Sequence, residues 1–245
     1  MELYAANPEA DLYKAFAAAR YKKSVEDVTK PERQLAKVAQ LGLGFGAGWK
    51  TFLRVAKTMG GLDLTDDESE GITDAWRNQY AEIVRGWKLG QAAMVRVHAG
   101  SEIAVDPWGM VTTCAEGLRL PSGRMIRYPD LRQEEGQWPD GRARQEWVYG
   151  HGRHKAFMHG GKVVENIVQA LARDSIFDCS IDFYKSTRLR PALRVHDELV
   201  YVVPEAEAVS LLAELQRVMR TPPKWWPELI VHSEGDHANS YGAAK

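Results

Sequence analysis

The chain has 245 residues, of which 44% are hydrophobic and 27% charged, a composition typical of a globular protein with a buried core. Its net charge of −1 gives no overall indication of nucleic-acid binding. The two cysteines, Cys114 and Cys179, fit no metal or redox spacing and favour a reducing compartment. The length allows one or two domains. Because we find neither a signal peptide nor an apolar run of membrane-spanning length, we expect a cytoplasmic protein.

A helix with an unusual face is the first strong motif. A short helix is predicted over 10–20, and the capping box Thr29–Glu32 then begins a second helix through ERQLAKVAQLGLGFG. At i, i+4 spacing one face presents two cations and then two apolar side chains, which we call the stripe: Arg33, Lys37, Leu41 and Phe45.

The order of side chains in the stripe suits neither a core face nor a solvated face. An Arg fork and a Lys charge match phosphate oxygens, and an apolar platform matches a base and sugar. The stripe therefore predicts a nucleotide laid along the helix. The alternative is a chance series with surface cations.

The middle of the chain is predicted to be helical and then to form a β-hairpin. Helix is expected over 47–59 and from the capping box at Thr65 to about Val97, with a break near Gly86 and Gly90. Strands over 118–120 and 125–128 flank a turn signal, and 133–150 is predicted to be loop. Basic residues recur over 119–155 and indicate either a polyanion patch or a solvated loop face.

The last third contains a long helix and a second hairpin. Helix is expected over 162–182, after three histidines that lack metal-ligand spacing: His151, His154 and His159. Strands over 193–195 and 199–203 flank His196-Asp197-Glu198. The adjacent carboxylates at this tip indicate either an ordinary acidic turn or a platform for a divalent cation such as Mg²⁺. A helix over 205–219 and a strand over 229–232 follow.

Three of these motifs resemble, in the same order, motifs of the family A DNA polymerases. The stripe is similar to the nucleotide-binding helix of that family's fingers, whose pattern is Arg, three residues, Lys, and then two aromatic-Gly pairs. HDE between apolar strands resembles the palm hairpin that carries metal-binding acidic residues. GGKVVENIVQALARD resembles the palm helix before that hairpin in phage members. The intervening lengths fit, and the resemblance extends from about Asp11 to the end.

The resemblance implies an α+β fold, with a helical fingers subdomain and β-hairpin insertion over 1–155 and part of an antiparallel palm over 156–245. In the fingers, Arg33 and Lys37 would bind the incoming triphosphate, and Tyr13 falls where many members have a phosphate-contacting His. Leu41 would influence sugar discrimination, and Phe45 replaces the usual Tyr beside the base, so a hydroxyl is missing there.

In the palm, the resemblance implies that Asp197 binds catalytic metal with Glu198 nearby, two Mg²⁺ ions being expected in a complete site. His196 would reach the primer end and Gln169 the minor groove of the primer–template. Two cations, Lys162 and Arg173, are further expected contacts to DNA.

The implied function is template-directed DNA synthesis from dNTPs on a primer–template, in the host cytoplasm if the chain is phage-encoded. The family's other metal-binding Asp lies in a strand that would fall before Met1, and no thumb is present. We therefore expect a second polypeptide to supply both. Two alternatives stay open: a non-catalytic DNA-binding remnant, and a metal-dependent nuclease that uses His196, Asp197 and Glu198.

Overall fold

A computed structural model describes residues 10–137 and 142–244, which divide into two compact bodies over 10–167 and from 168 onward. The α+β prediction is confirmed, because helices dominate and each sheet of the described residues is small and antiparallel. The subdomain boundary between residues 155 and 156 stays a prediction. Residues 138–141, part of the predicted loop over 133–150, lie outside the described residues.

Helices form the first part of the first body. They are α1 (Leu12–Tyr21), α2 (Lys30–Leu43), α3 (Trp49–Gly60), α4 (Asp66–Gln79) and α5 (Ala81–His98). Both predicted capping boxes are present, since Thr29 and Thr65 are the N-cap residues of α2 and α4 and exchange hydrogen bonds with the glutamates three residues on.

Two helix boundaries differ from the prediction. The second helix ends at Leu43 rather than running through Phe45, because glycines follow and Gly46 has φ of +88°. The break expected near Gly86 and Gly90 falls at Tyr80, whose φ and ψ of −111° and 45° leave the helical region. The Tyr80 ring packs against the core of the first body, so burial of an aromatic side chain places the bend there.

One face of α2 is fixed to the aromatic core of this body. Trp76, only 1% exposed, donates from Nε1 to Gln40 Oε1 at 2.5 Å, and Gln40 Nε2 donates to the Tyr80 hydroxyl at 2.8 Å. Trp87 stacks on Trp76 with an interplanar angle of 6° and donates to the Gly44 carbonyl at 3.1 Å. On the same helix, Lys37 and Leu41 of the stripe are exposed and Arg33 is partly exposed.

Two three-stranded antiparallel sheets follow α5. The first contains β1 (Thr112–Cys114), β2 (Gly117–Arg119) and β3 (Met125–Arg127), and its β2–β3 hairpin was predicted. The second contains β4 (Arg132–Gln137), β5 (Ala143–Tyr149) and β6 (Ala156–Met158). The loop prediction over 133–150 is therefore wrong. The half-buried positions of β4 alternate with exposed ones, as in a strand, but they carry polar residues and a glycine, so the sequence lacks the apolar alternation that identifies a strand.

Most basic residues over 119–155 that the structure describes are paired with carboxylates. Arg119 contacts Glu102 at 3.1 Å and Arg127 contacts Glu116 at 3.1 Å. The same holds on the second sheet, where three further cations pair with carboxylates: Arg132 with Asp130 and Glu134, Lys155 with Glu134, and Arg144 with Glu146. Since neutralised cations attract a polyanion weakly, this pairing favours the solvated face over the polyanion patch.

The backbones of two helices meet at glycines in the first body. Helix α6 (Gly160–Thr187) begins here, and the Gly160 N–H donates to Gln91 Oε1 at 3.0 Å. A Cβ at Gly90 would lie 2.5 Å from the Gly160 carbonyl oxygen, and one at Gly161 would lie 2.1 Å from the Phe45 carbonyl oxygen. These glycines therefore permit an approach that a side chain would block.

The second body contains most of α6, the hairpin of β7 (Leu193–Val195) and β8 (Glu198–Val200), and α7 (Ala208–Met219). Its core joins α6, β8 and α7 through Cys179, Phe183, Leu199, Leu215 and Val218.

The strand predicted over 229–232 is not formed. Side chains rather than a strand ladder tie the segment after it to α7: Arg220 Nη2 donates to the Ser233 carbonyl at 2.7 Å, and Ser233 Oγ donates to the Gln216 carbonyl at 3.3 Å. No helix in the described part of the chain has the length and apolarity needed to cross a membrane.

Candidate functional site

Three of the four stripe residues share one accessible face of α2. Lys37 is exposed, the Leu41 side chain is 51% exposed, and Arg33 is partly exposed four residues before Lys37. Phe45 lies two residues beyond the end of α2 and is half-buried, so the structure corrects its predicted place on the helix. The stripe is thus two cations followed by one apolar side chain on the helix, with Phe45 in the following turn.

Arg33 is held by the start of α1. Its Nε donates to Asp11 Oδ2 at 2.6 Å, and its guanidinium carbon lies 5.3 Å from the centroid of the Tyr13 ring. Asp11 is also the N-cap of α1, because its Oδ1 accepts the backbone N–H groups of Tyr13 and Lys14 at 3.0 and 3.1 Å. The two oxygens of one carboxylate therefore have separate partners.

Burial and hydrogen bonding act in opposite directions on Asp11. Burial raises the pKa of its carboxyl, but the hydrogen bond from Arg33, the backbone donors and the Arg33 charge together lower that pKa below its ordinary value. Asp11 is consequently a carboxylate at neutral pH, and the ion pair with Arg33 is present under physiological conditions.

The acidic tip of the β7–β8 hairpin is a two-residue turn, His196-Asp197, and Glu198 is the first residue of β8. His196 has φ of +53°, a conformation that side chains rarely adopt. Asp197 is exposed, and Glu198 accepts a hydrogen bond from the Tyr241 hydroxyl at 2.8 Å. The Asp197 side chain is therefore accessible at the turn, whereas the Glu198 carboxylate is restrained by Tyr241.

The predicted DNA contacts lie on α6. Gln169 and Arg173 are exposed, and Lys162 pairs with Glu165 at 2.9 Å. Arg173 and Arg194 both contact the Phe177 ring, with guanidinium carbons 4.9 and 4.5 Å from its centroid. This ring therefore positions two cations in the second body, one of which was predicted.

The donor types present fit a hard cation, but they do not complete a site within the described residues. Asp197 and Glu198 supply carboxylate oxygens, which Mg²⁺ prefers. No group of three or more His, Cys, Asp or Glu that could hold a metal occurs across residues 10–137 and 142–244. The three predicted loop histidines likewise form no such group, and burial lowers the pKa of His159.

Two cavities of the first body lie away from the stripe. A shallow one of about 270 Å³ lies where Gly46, Trp87, Lys88 and His159 meet the start of α6. A larger one of about 430 Å³ is lined by residues of α5 and the first sheet, including His98 and Tyr128. Neither of these two cavities is lined by a stripe residue.

Sequence reasoning missed Asp11, although a signal for it was present. An Asp directly before an apolar-periodic segment is a common N-cap, and the helix was predicted from Ala10 without one. The pairing of this cap with Arg33, 22 positions later, depends on the tertiary contact between α1 and α2 and has no local signal.

The chain is similar in sequence to a DNA polymerase of Bacillus phage SP02, with 30% identity over 237 residues. That alignment covers 94% of this chain and 36% of the phage protein. Its fold matches the polymerase domain of Pol1 from M. smegmatis, solved in complex with DNA primer-template and dNTP, with a TM-score of 0.61 and 18% identity. The match covers 97% of this chain and 35% of the other.

The chain thus spans about a third of the length of both proteins. No protein-family profile matches it. The predicted resemblance to a portion of a family A-type DNA polymerase is confirmed by the phage relative, whose similarity runs through nearly the whole chain, and by the fold.

Proposed function

We propose that this relative of family A-type DNA polymerases supplies the nucleotide-binding helix and the metal-binding hairpin of a template-directed DNA polymerase. The observation that carries the proposal is the similarity to the phage polymerase, which extends over 94% of the chain and so includes both the stripe and the hairpin. The substrates would be a primer–template and a dNTP.

In the proposed reaction the primer 3′ hydroxyl attacks the α-phosphorus of the dNTP. The hydroxyl proton is released to solvent as a bond forms between that oxygen and the α-phosphorus, the bond from the α-phosphorus to the bridging oxygen breaks, and pyrophosphate leaves. Arg33 and Lys37 neutralise triphosphate charge, Tyr13 lies beside Arg33, and Leu41 and Phe45 provide apolar surface for the sugar and base. These contacts orient the dNTP for in-line attack.

Asp197 and Glu198 would hold Mg²⁺ through their carboxylates, and His196 would contact the primer end. When bound, Mg²⁺ supplies activation of the attacking hydroxyl and charge stabilisation on the leaving oxygens. The duplex would be contacted by Gln169, Arg173 and Lys162.

The remaining carboxylate of a two-metal site is proposed to come from sequence outside these 245 residues, on the same or on a second polypeptide. The support is the absence of a third ligand near the pair among the described residues. Strand β7 is paired with β8 and all three of its residues are exposed, with Leu193 at 48% and Val195 at 40%. Such a strand is suited to pairing with a further strand.

Primer extension tests this function. The chain is assayed with Mg²⁺, dNTPs and an end-labelled primer–template, alone and with the portion of the SP02 polymerase that does not align with it. We expect extension in the combined sample, its loss in Asp197→Ala with DNA binding retained, and a smaller loss in Glu198→Ala.

Other outcomes distinguish the alternatives. Shortening of the labelled strand instead of extension would identify a metal-dependent nuclease. DNA binding without extension in either sample would identify a non-catalytic remnant. Equal extension by wild type and Asp197→Ala would remove the metal assignment.

A further inference from the structure

We infer that Asp11 is a positioning residue for the nucleotide triphosphate, which acts by fixing the Arg33 guanidinium so that its two terminal nitrogens face the phosphates. This inference rests on the proposed function and deepens it, because it assigns a role to a residue outside the set proposed to contact the nucleotide.

The geometry of the ion pair carries the inference. Asp11 accepts from Nε of Arg33, at 2.6 Å, and not from the terminal nitrogens. Bidentate pairing with a carboxylate would occupy the guanidinium edge that also suits phosphate. Side-on pairing through Nε instead leaves both terminal nitrogens available, and no hydrogen bond from them to another described residue occurs in the structure.

The Tyr13 ring adds a second restraint on the same guanidinium. It lies 5.3 Å from the guanidinium carbon, so the cation is held at Nε by a carboxylate and over its plane by an aromatic face. Arg carries substantial rotamer entropy, and restraint before binding reduces the cost of ordering it on the ligand.

Asp11 is itself immobilised by the backbone. Its Oδ1 accepts from the Tyr13 and Lys14 N–H groups and caps α1, so Oδ2 has a fixed position relative to that helix. The cap and the ion pair thus use different oxygens of one side chain. This division allows them to be separated by mutation.

Asp11→Asn separates the two roles. Asparagine caps a helix about as well as aspartate, and the cap uses its only oxygen. Its amide nitrogen, a donor, then faces the donor Nε of Arg33, so the contact with Arg33 is lost while α1 keeps its cap. Glu32→Gln is the matched control. It also replaces a carboxylate by an amide, but it disrupts the neighbouring Lys23–Glu32 ion pair, whose Glu32 lies in the first turn of the same α2.

The test is the affinity of the full chain for a fluorescent 2′-deoxynucleoside triphosphate with Mg²⁺, with the corresponding monophosphate as reference. We expect Asp11→Asn to weaken triphosphate binding about fivefold to tenfold, the loss of one charge-assisted contact. Monophosphate affinity and thermal stability should stay near wild type, which a general loss of structure would not allow. Glu32→Gln should bind the triphosphate as wild type does, and Asp11→Asn should have no added effect in an Arg33→Ala background.

The outcomes separate this inference from the proposed function. Weak binding by Arg33→Ala together with wild-type binding by Asp11→Asn would overturn the positioning role alone. Tighter binding by Asp11→Asn would also overturn it, because Asp11 would then compete with the phosphates for Arg33. Unchanged binding by Arg33→Ala would overturn both the nucleotide role of the stripe and this inference.

Discussion

Two glycines one turn apart on α5 provide a matched test of the close approach between α5 and α6. A Cβ at Gly86 would meet no atom within 4 Å, whereas a Cβ at Gly90 would lie 2.5 Å from the carbonyl oxygen and 3.2 Å from the carbonyl carbon of Gly160. Both glycines are inside the same helix, so the same substitution carries the same change in helix propensity at the two positions.

The expected magnitudes follow from these distances. Gly86→Ala should stabilise the protein by about 1 kcal/mol, the usual gain of alanine over glycine inside a helix. Gly90→Ala receives the same gain in helix propensity. However, its Cβ would lie 2.5 Å from the Gly160 carbonyl oxygen, which is 0.5 Å closer than the 3.0 Å below which atoms must shift, and that oxygen belongs to the backbone. Relief by backbone movement costs about 1 to 3 kcal/mol or more.

The assay is denaturant unfolding of each variant, followed by the fluorescence of the tryptophans. We expect Gly86→Ala to be more stable than Gly90→Ala by about 1 to 3 kcal/mol, the overpacking term alone. A gap of this size corresponds to roughly 2 to 12 °C in Tm for a chain of this length. Equal stabilisation by both substitutions would show that α5 and α6 do not approach at Gly90.

Two further predictions concern the anchoring of α2. Trp76→Phe should lower the free energy of unfolding by about 2 to 4 kcal/mol, because it removes buried ring volume and the donor to Gln40, and a loss below 1 kcal/mol in urea unfolding would contradict that role. Hydrogen bonding first from Lys23 and then from Thr29 lowers the pKa of Glu32 to about 2. Since this folded-state pKa is depressed, its contribution is complete above about pH 4.5 and is lost as the pH falls toward 2. Glu32→Gln should therefore show a flatter dependence of unfolding free energy on pH in that window, and parallel curves for the two proteins would refute the assignment.

Local signals in the sequence predicted most of the helical framework. The capping boxes at Thr29 and Thr65 and the hairpin between β2 and β3 depend on neighbouring residues, so they could be identified without a tertiary structure. The end of α2 was placed too late, because the i, i+4 spacing of Phe45 outweighed the glycines in the prediction. Strands β4 and β5 were missed because charged residues occupy positions where a strand pattern needs apolar ones.

The sequence predicted which residues share the candidate site, but not the tertiary contacts that hold them. Arg33, Lys37 and Leu41 share a helix face, which follows from helix geometry alone. The contact of Arg33 with Asp11 and Tyr13 joins two helices, and the pairing of Glu198 with Tyr241 joins positions 43 residues apart. No local pattern specifies such contacts, because they depend on packing between elements that are distant in sequence.

The left-handed backbone conformation of His196 affects how the stability of this chain can be raised by mutation. A side chain at φ of +53° costs about 1 to 2 kcal/mol relative to glycine, so a hairpin optimised for stability would carry glycine at this position. Histidine beside Asp197 therefore makes the turn less stable than its fold requires. In a search for thermostable variants, His196→Gly would be enriched. The enriched chains would have a more stable turn but would lack the imidazole proposed to contact the primer end.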